Sequence, residues 1–149
     1  MREAINAALK DAMKAGEKTK VSTLRLMNAA IKDRDIEARG AGKPPLGDDE
    51  LLQVFQKMIK QRQESAEIYD KAGRPELAAQ ERDEMAVVQG FLPAQMNAAE
   101  TEAAIGALIM ELGAAGMRDM GKVMAGLRER YAGRMDFGQA SGVVKRALG

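Results

Sequence analysis

Apolar residues recur at steps of three and four along almost the whole chain, whereas strict alternation of apolar and polar residues is nearly absent. This spacing places apolar side chains along one face of an α-helix, so it predicts an all-α protein. Glycines and prolines, which end helices, separate the apolar stretches. The clearest of these breaks are Gly16, the segment 40–47, Gly73 with Pro75, Phe91-Leu92-Pro93, and Gly113 with Gly116.

The breaks divide the chain into seven predicted helices. Four of them fall in residues 1–93, and the fourth ends at the Pro93 break because a residue before proline avoids helical backbone angles. Three shorter helices fall in residues 94–149. Two of these begin at capping patterns, which are Asn97 with Glu100 and Asp136 with Gln139. We therefore expect an N-terminal helical domain over residues 1–93 and a three-helix domain, the tail, over residues 94–149.

The residue types that the chain lacks exclude several kinds of site. The 149 residues contain no cysteine and no histidine, so disulfides, cysteine nucleophiles, Cys/His zinc sites and Ser-His-Asp triads cannot form. Aromatic residues make up only 3%, so the core must consist of aliphatic side chains, alanine and the 11 methionines. We predict no catalytic residue, no metal site and no cofactor.

The sequence also shows no membrane or export signal. No apolar run approaches the roughly 18 residues that a bilayer span needs. The first residues, Met1-Arg2-Glu3-Ala4, lack the apolar core of a signal peptide. We therefore expect a cytoplasmic protein without a membrane partner.

Carboxylates are most frequent in the middle of the chain, where their pattern favours a structural role. They alternate with lysine and arginine on the same predicted helices, which is typical of solvated faces. Arg62 lies on the apolar stripe of the third helix, and Glu81 interrupts the stripe of the fourth. Because a half-buried guanidinium needs acceptors, we predict a structural Arg62–Glu81 pair between the two helices. The alternative is a ligand site at Arg62.

Charge is distributed unevenly, although the net charge is only +1. Residues 1–45 carry +4, residues 46–93 carry −4, and the segment from Leu112 onward carries +4. Five cations gather near the link between the first two helices: Lys10, Lys14, Lys18, Lys20 and Arg25. Such a distribution suits an anionic partner, attraction between segments of the chain, or an ordinary mixed surface.

The most unusual cation is Lys122, which follows Gly121 in the first turn of the sixth predicted helix. A lysine there opposes the helix dipole, so local helix stability does not explain it. Free N–H groups beside an ammonium favour a bound phosphate, and Gly121 would permit close approach of a ligand or another helix. The alternative is a glycine for helix packing and a solvated lysine. Further cations that extend this predicted nucleic-acid surface are Arg128, Arg130, Arg134, Lys145 and Arg146.

The order and spacing of short motifs resemble those of the GatB/YqeY family over essentially the whole chain. These motifs are Thr23-Leu24-Arg25, Arg62-Gln63-Glu64-Ser65 with Tyr69, Gly73-Arg74 before Leu77-Ala78, Glu81 with Glu84, Phe91-Leu92-Pro93, Met120-Gly121-Lys122-Val123-Met124, and Gly133-Arg134. The chain is similar to a stand-alone YqeY-like protein. Its C-terminal part resembles the tail domain of the B subunit of the tRNA-dependent amidotransferase. That enzyme converts Glu-tRNA(Gln) or Asp-tRNA(Asn) to the amide form, with glutamine as amide donor and ATP for activation.

The resemblance implies a helical N-terminal domain, a three-helix tail and a link to tRNA, because the amidotransferase tail helps to hold the tRNA body. It carries over no catalytic residue, since the glutaminase nucleophile and the ATP site of that enzyme have no counterpart in this chain. We therefore expect a non-catalytic, tRNA- or RNA-associated helical module. The alternatives are an accessory subunit of an aminoacylation or amidotransferase assembly, and an enzyme with carbon–nitrogen ligase activity of its own.

Overall fold

A computed structural model describes residues 1–149 and contains seven α-helices and no strand. The all-α fold predicted from the apolar spacing is therefore confirmed. The helices are α1 (Arg2–Ala15), α2 (Lys18–Gly40), α3 (Asp48–Lys71), α4 (Pro75–Gln89), α5 (Ala98–Leu112), α6 (Met120–Tyr131) and α7 (Phe137–Leu148). A short 3-10 helix, Met117–Asp119, precedes α6. None of the helices combines the length and the apolar composition that crossing a bilayer requires.

The chain forms two compact units, Met1–Leu92 and Pro93–Gly149, and each unit has its own apolar core. In the first unit α1 packs against α2, and α3 packs against α4. Gly16 joins the first pair in a left-handed conformation with φ 70°, which ends α1 within one residue. The largest fully buried side chains of this core are Ile5, Leu24, Met27, Leu51, Phe55 and Val88.

Helices α3 and α5 begin where side chains satisfy or stabilise their first N–H groups. Asp48, Asp49 and Glu50 occupy the first turn of α3, where the helix dipole favours negative charge. Asn97 and Glu100 form the predicted capping box at α5. The Asn97 side chain accepts the Glu100 N–H at 2.8 Å, and the Asn97 N–H donates to Glu100 Oε1 at 3.2 Å.

Arg2 fixes the long loop between α2 and α3. Its guanidinium donates to both carboxylate oxygens of Asp35, at 2.7 and 2.9 Å, and to the Leu46 carbonyl at 2.9 Å. Asp35 also accepts the Leu46 N–H at 3.0 Å. The Arg2 guanidinium, and then the Leu46 N–H, hold the pKa of Asp35 below its usual value. One arginine therefore connects the start of α1, the middle of α2 and the end of the loop.

Arg62 makes an interhelix pair, but with Glu84 rather than with the predicted Glu81. Its Nε donates to Glu84 Oε2 at 3.1 Å, and the two side chains are only 14% and 17% exposed. Glu84 lies nearly one helical turn beyond Glu81, so the interruption of the stripe indicated the correct face of α4 but the wrong residue. Burial, and then the Glu84 charge, raise the pKa of Glu81, while the Arg62 charge acts in the opposite direction.

Neutralising these two glutamates should have opposite effects. Glu84→Gln should lower the free energy of unfolding at pH 7 by about 1–3 kcal/mol, because Arg62 loses its charged acceptor in a half-buried position. Glu81→Gln should raise it, because the wild-type carboxylate is harder to ionise in the folded chain than in the unfolded one. Urea unfolding of both variants beside the wild type measures the difference.

The effect of Glu81→Gln should depend on pH. Because the pKa of Glu81 is raised in the folded state, protonation of Glu81 stabilises the folded chain relative to the unfolded one. This stabilisation is fully present below the ordinary pKa of 4.5 and is lost as the pH rises through the pKa of the folded state. The advantage of Glu81→Gln should therefore be full at neutral pH and disappear below pH 4.5, where wild-type Glu81 is protonated as well. A Glu81→Gln variant that is less stable than the wild type at neutral pH would contradict this account.

Candidate nucleic-acid interface

The tail is a three-helix unit whose core comes from α5, α6 and α7. The Arg128 guanidinium, near the end of α6, lies 5.8 Å from the centre of the Phe137 ring at the start of α7. At the other end, a Cβ on Gly149 would lie 3.9 Å from the Met117 sulfur, so the end of α7 adjoins the 3-10 helix before α6. Helices α6 and α7 therefore run antiparallel, and the start of α6 lies beside the end of α7.

The turn between α6 and α7 belongs to the core of the tail. Gly133 adopts φ 75°, which reverses the chain, and Met135 is fully buried. The Asp136 side chain then accepts the N–H groups of Gly138 and Gln139 at 3.0 and 3.2 Å. The predicted start of α7 at Asp136 is confirmed, because this carboxylate satisfies the first free donors of the helix.

Lys122 lies in the first turn of α6 with an exposed side chain, as the sequence predicts. The residue that precedes this helix is Asp119, whose carboxylate accepts the Ala115 N–H at 2.9 Å. That hydrogen bond lowers the pKa of Asp119, and the charges of Arg118 and Lys122 lower it further. Asp119 is therefore ionised at neutral pH and offsets one positive charge at the start of α6.

Three of the predicted phosphate-binding cations have contacts within the tail. Arg130 donates to both carboxylate oxygens of Glu111, at 2.7 and 2.6 Å, and this pairing lowers the pKa of Glu111. Arg134 donates from Nε to the Ala94 carbonyl at 3.1 Å. The third is Arg128, which lies over the ring of Phe137. Each of these arginines therefore has a structural role that the sequence did not reveal.

Lys122 and Arg134 lie too far apart to bind the same phosphate group. Lys122 is in the first turn of α6, and Arg134 follows the end of that helix. At about 1.5 Å per residue, the helix alone separates them by roughly 14 Å along its axis. A backbone that contacted both residues would therefore have to do so through different phosphate groups.

Four exposed cations lie on the elements that meet where α6 starts and α7 ends. Arg118 lies on the 3-10 helix, Lys122 in the first turn of α6, and Lys145 with Arg146 in the last turn of α7. None of these four side chains makes a hydrogen bond or an ion pair within the protein. We call them the basic end of the tail. Arg118 is not among the cations predicted from the sequence to bind phosphate, although it lies in the same stretch as Lys122.

The glycine that permits close helix packing is Gly126 rather than Gly121. A Cβ on Gly126 would lie 2.9 Å from Cδ2 of Leu108, so α5 approaches α6 closely at this point. A Cβ on Gly121 would meet no atom within 4 Å. Helix packing therefore does not explain the glycine beside Lys122.

The carboxylates of the protein do not gather into a metal site. No three acidic side chains lie close enough together to hold a metal ion. Two acids of α3 and α4 contact arginines instead. Besides the pair made by Glu84, Asp70 pairs with Arg82, whose guanidinium lowers the pKa of Asp70. These two acids therefore take part in ion pairs that join α3 to α4.

This all-helical chain belongs to the YqeY-like protein family, which matches residues 2–148. The family resemblance inferred from the motifs is confirmed to that extent, whereas a specific relation to the amidotransferase B subunit is not shown.

Several curated fungal proteins are similar to this chain. Altered inheritance of mitochondria protein 41, mitochondrial, from Eremothecium gossypii is 35% identical over 96 residues, which cover 64% of this chain and 51% of the relative. The protein of the same name from Lachancea thermotolerans is 31% identical over 106 residues, which cover 70% of this chain and 55% of that relative. An uncharacterised protein of Schizosaccharomyces pombe is 32% identical over 93 residues, which cover 62% of this chain and 72% of that relative. The chain spans about half the length of the first of these relatives.

These relatives contradict the expected cytoplasmic localisation. Four of them are named as mitochondrial proteins. The expectation depended on the composition of the first few residues, and that composition does not report the compartment in which the family works.

Alanine at the two glycines of α6 should separate their roles. Gly121→Ala should raise the free energy of unfolding of the tail by about 0.5–1 kcal/mol, because alanine favours the helix and its Cβ meets no atom. Gly126→Ala should raise the free energy of unfolding by a smaller amount, or lower it, because the Leu108 side chain must move to make room for the added Cβ. Hydrogen exchange of tail amides in both variants measures these changes. A tail destabilised by Gly121→Ala but not by Gly126→Ala would reverse the assignment.

Proposed function

We propose that this protein is a non-catalytic helical module that associates with RNA, and that tRNA is the class of RNA it binds. The observation that carries the proposal is the basic end of the tail. It presents four exposed positive charges that form no hydrogen bond or ion pair, and the carboxylate of Asp119 lies near two of them, Arg118 and Lys122. Exposed ammonium and guanidinium groups bind a phosphate backbone by displacing its counterions. The resemblance of the tail motifs to the amidotransferase tail supports tRNA as the class.

The basic end of the tail would contact the phosphate backbone of RNA and not its bases. Sequence-specific reading of single strands uses exposed aromatic rings on which bases stack. The aromatic residues of the tail are Tyr131 and Phe137, and both are half-buried against its core. We therefore expect affinity for RNA with little preference for base sequence.

An accessory role in an aminoacylation or amidotransferase assembly is the second candidate. Met110 on α5 is 84% exposed, which is unusual for a large apolar side chain and suits contact with another protein. Pull-down from native lysate with and without nuclease distinguishes the two candidates. Partners that disappear after nuclease treatment favour RNA, and partners that remain favour the assembly.

Charge reversal at the basic end should weaken RNA binding. We expect Lys122→Glu combined with Lys145→Glu to lower the affinity for bulk tRNA about tenfold or more at 50 mM salt. The slope of log affinity against log salt should become shallower by roughly 0.7–0.9 for each phosphate group that the variant no longer neutralises. Titration of labelled tRNA with the full chain at several salt concentrations measures both quantities.

The matched control reverses two exposed lysines of the first unit, Lys32→Glu with Lys57→Glu, and so gives the same change in net charge. This control should bind tRNA more tightly than the tail variant and keep a steeper salt slope. Equal reductions in both variants would show that only net charge matters. No binding of the wild type at low salt would refute RNA association altogether.

A further inference from the structure

The link between α1 and α2 carries an open groove of about 450 Å³ that RNA association through the tail does not use. Its lining residues are Met13, Gly16, Lys18, Val21, Ser22 and Arg25. We call it the hairpin groove. It coincides with the part of the sequence in which five cations gather.

Helical geometry brings the side chains of the hairpin groove to one side of the helix pair. Residues three and four apart lie on the same face of a helix. On α1 this face carries Lys10, Met13 and Lys14, and on α2 it carries Lys18, Val21, Ser22 and Arg25. The core faces of the same helices, which include Ile5 and Leu24, are fully buried. Of the residues that line the groove, only Val21 also packs against this core.

The floor of the hairpin groove is apolar and uncovered. Met13, which lines the groove, is 53% exposed. The half-buried Val21 continues the floor between the two helices. Methionine has a flexible, polarisable side chain that adapts to the shape of an apolar partner.

The rim of the hairpin groove is cationic and unpaired. The acids of this region are Asp11, Glu17 and Asp83 of α4, which lines a neighbouring hollow with Lys18 and Lys20. Glu17 lies 3.8 Å from the ammonium of Lys20. Four further cations make no hydrogen bond or ion pair: Lys10, Lys14, Lys18 and Arg25. The groove therefore combines an apolar floor with an excess of positive charge.

We propose that the hairpin groove docks an acidic, amphipathic helix of a partner protein. A helix of that kind lays its apolar side chains into a groove, and its carboxylates reach the cations of the rim. Because the rim is positively charged, the partner must carry negative charge. Because Met13 is exposed, the partner must also supply an apolar side chain that packs against it. RNA would use the cations but leave Met13 exposed to water, so the floor favours a polypeptide.

A set of synthetic peptides of about 14 residues, or four helical turns, tests the proposal on the full chain. The first peptide has leucines along one face and glutamates elsewhere. The second replaces the glutamates by lysines, and the third replaces the leucines by serines. Fluorescence anisotropy should show saturable 1:1 binding of the first peptide only, because the second is repelled by the rim and the third has no anchor.

Met13→Lys separates apolar docking from simple charge attraction. If only charge mattered, an added cation would tighten the binding of an acidic peptide. Docking on the floor predicts about tenfold weaker binding, because the variant removes apolar contact area. The matched control is Ile68→Lys, which adds the same cation at an exposed apolar residue of α3 and should leave peptide affinity unchanged. Lys14→Glu with Arg25→Glu should also weaken binding about tenfold or more.

Three results would overturn the proposal. One is tighter peptide binding by Met13→Lys, which would identify a purely electrostatic surface. Another is tRNA that competes with the peptide and binds more weakly to the Lys14→Glu, Arg25→Glu variant, which would assign the groove to RNA. The third is a dimer of the full chain, detected by sedimentation, that the Met13→Lys substitution dissociates. A second copy of this chain would then occupy the hairpin groove. Circular dichroism of each variant confirms that the helices remain folded.

Discussion

The apolar faces of neighbouring helices hold each unit together, because most of these helices could not persist alone. Five of the seven are 12 to 15 residues long, which is marginal for an isolated helix in water. With few aromatic residues, the buried faces consist mainly of leucine, isoleucine, valine and methionine, and Phe55 is the only phenylalanine that is fully buried. Polar contacts such as Arg62–Glu84 and Arg2–Asp35 then fix how the paired elements align.

Local features of the fold could be predicted because their causes lie within a few residues. Gly16 ends α1 through its own backbone conformation, and Asn97 and Asp136 begin helices by accepting N–H groups two or three residues away. Contacts between helices were harder to predict, because apolar spacing fixes the face of a helix but not its axial offset from a neighbour. Arg62 therefore meets Glu84 and not Glu81.

The candidate site was predictable only in part for the same reason. Lys122 could be placed at the start of α6 from the local pattern alone. The pairing of Arg130 with Glu111 joins residues 19 positions apart, and Arg134 reaches a carbonyl 40 positions away. No periodic pattern encodes these partners. The similar positive charge of residues 1–45 and of the segment from Leu112 also concealed two separate surfaces, the hairpin groove and the basic end of the tail.

The ion pairs that fix the fold use arginine far more than lysine. Arg2, Arg62 and Arg130 hold carboxylates across distant parts of the sequence, whereas Lys14 and Lys122 hold none. A planar guanidinium suits a fixed two-point contact, and it is not a substrate for acetylation as the lysine ammonium is. Acetyl groups on exposed lysines would therefore remove charge from the basic end and from the hairpin groove while the arginine pairs persist. The chemistry of its surface can thus be adjusted in the folded protein without loosening the helices beneath it.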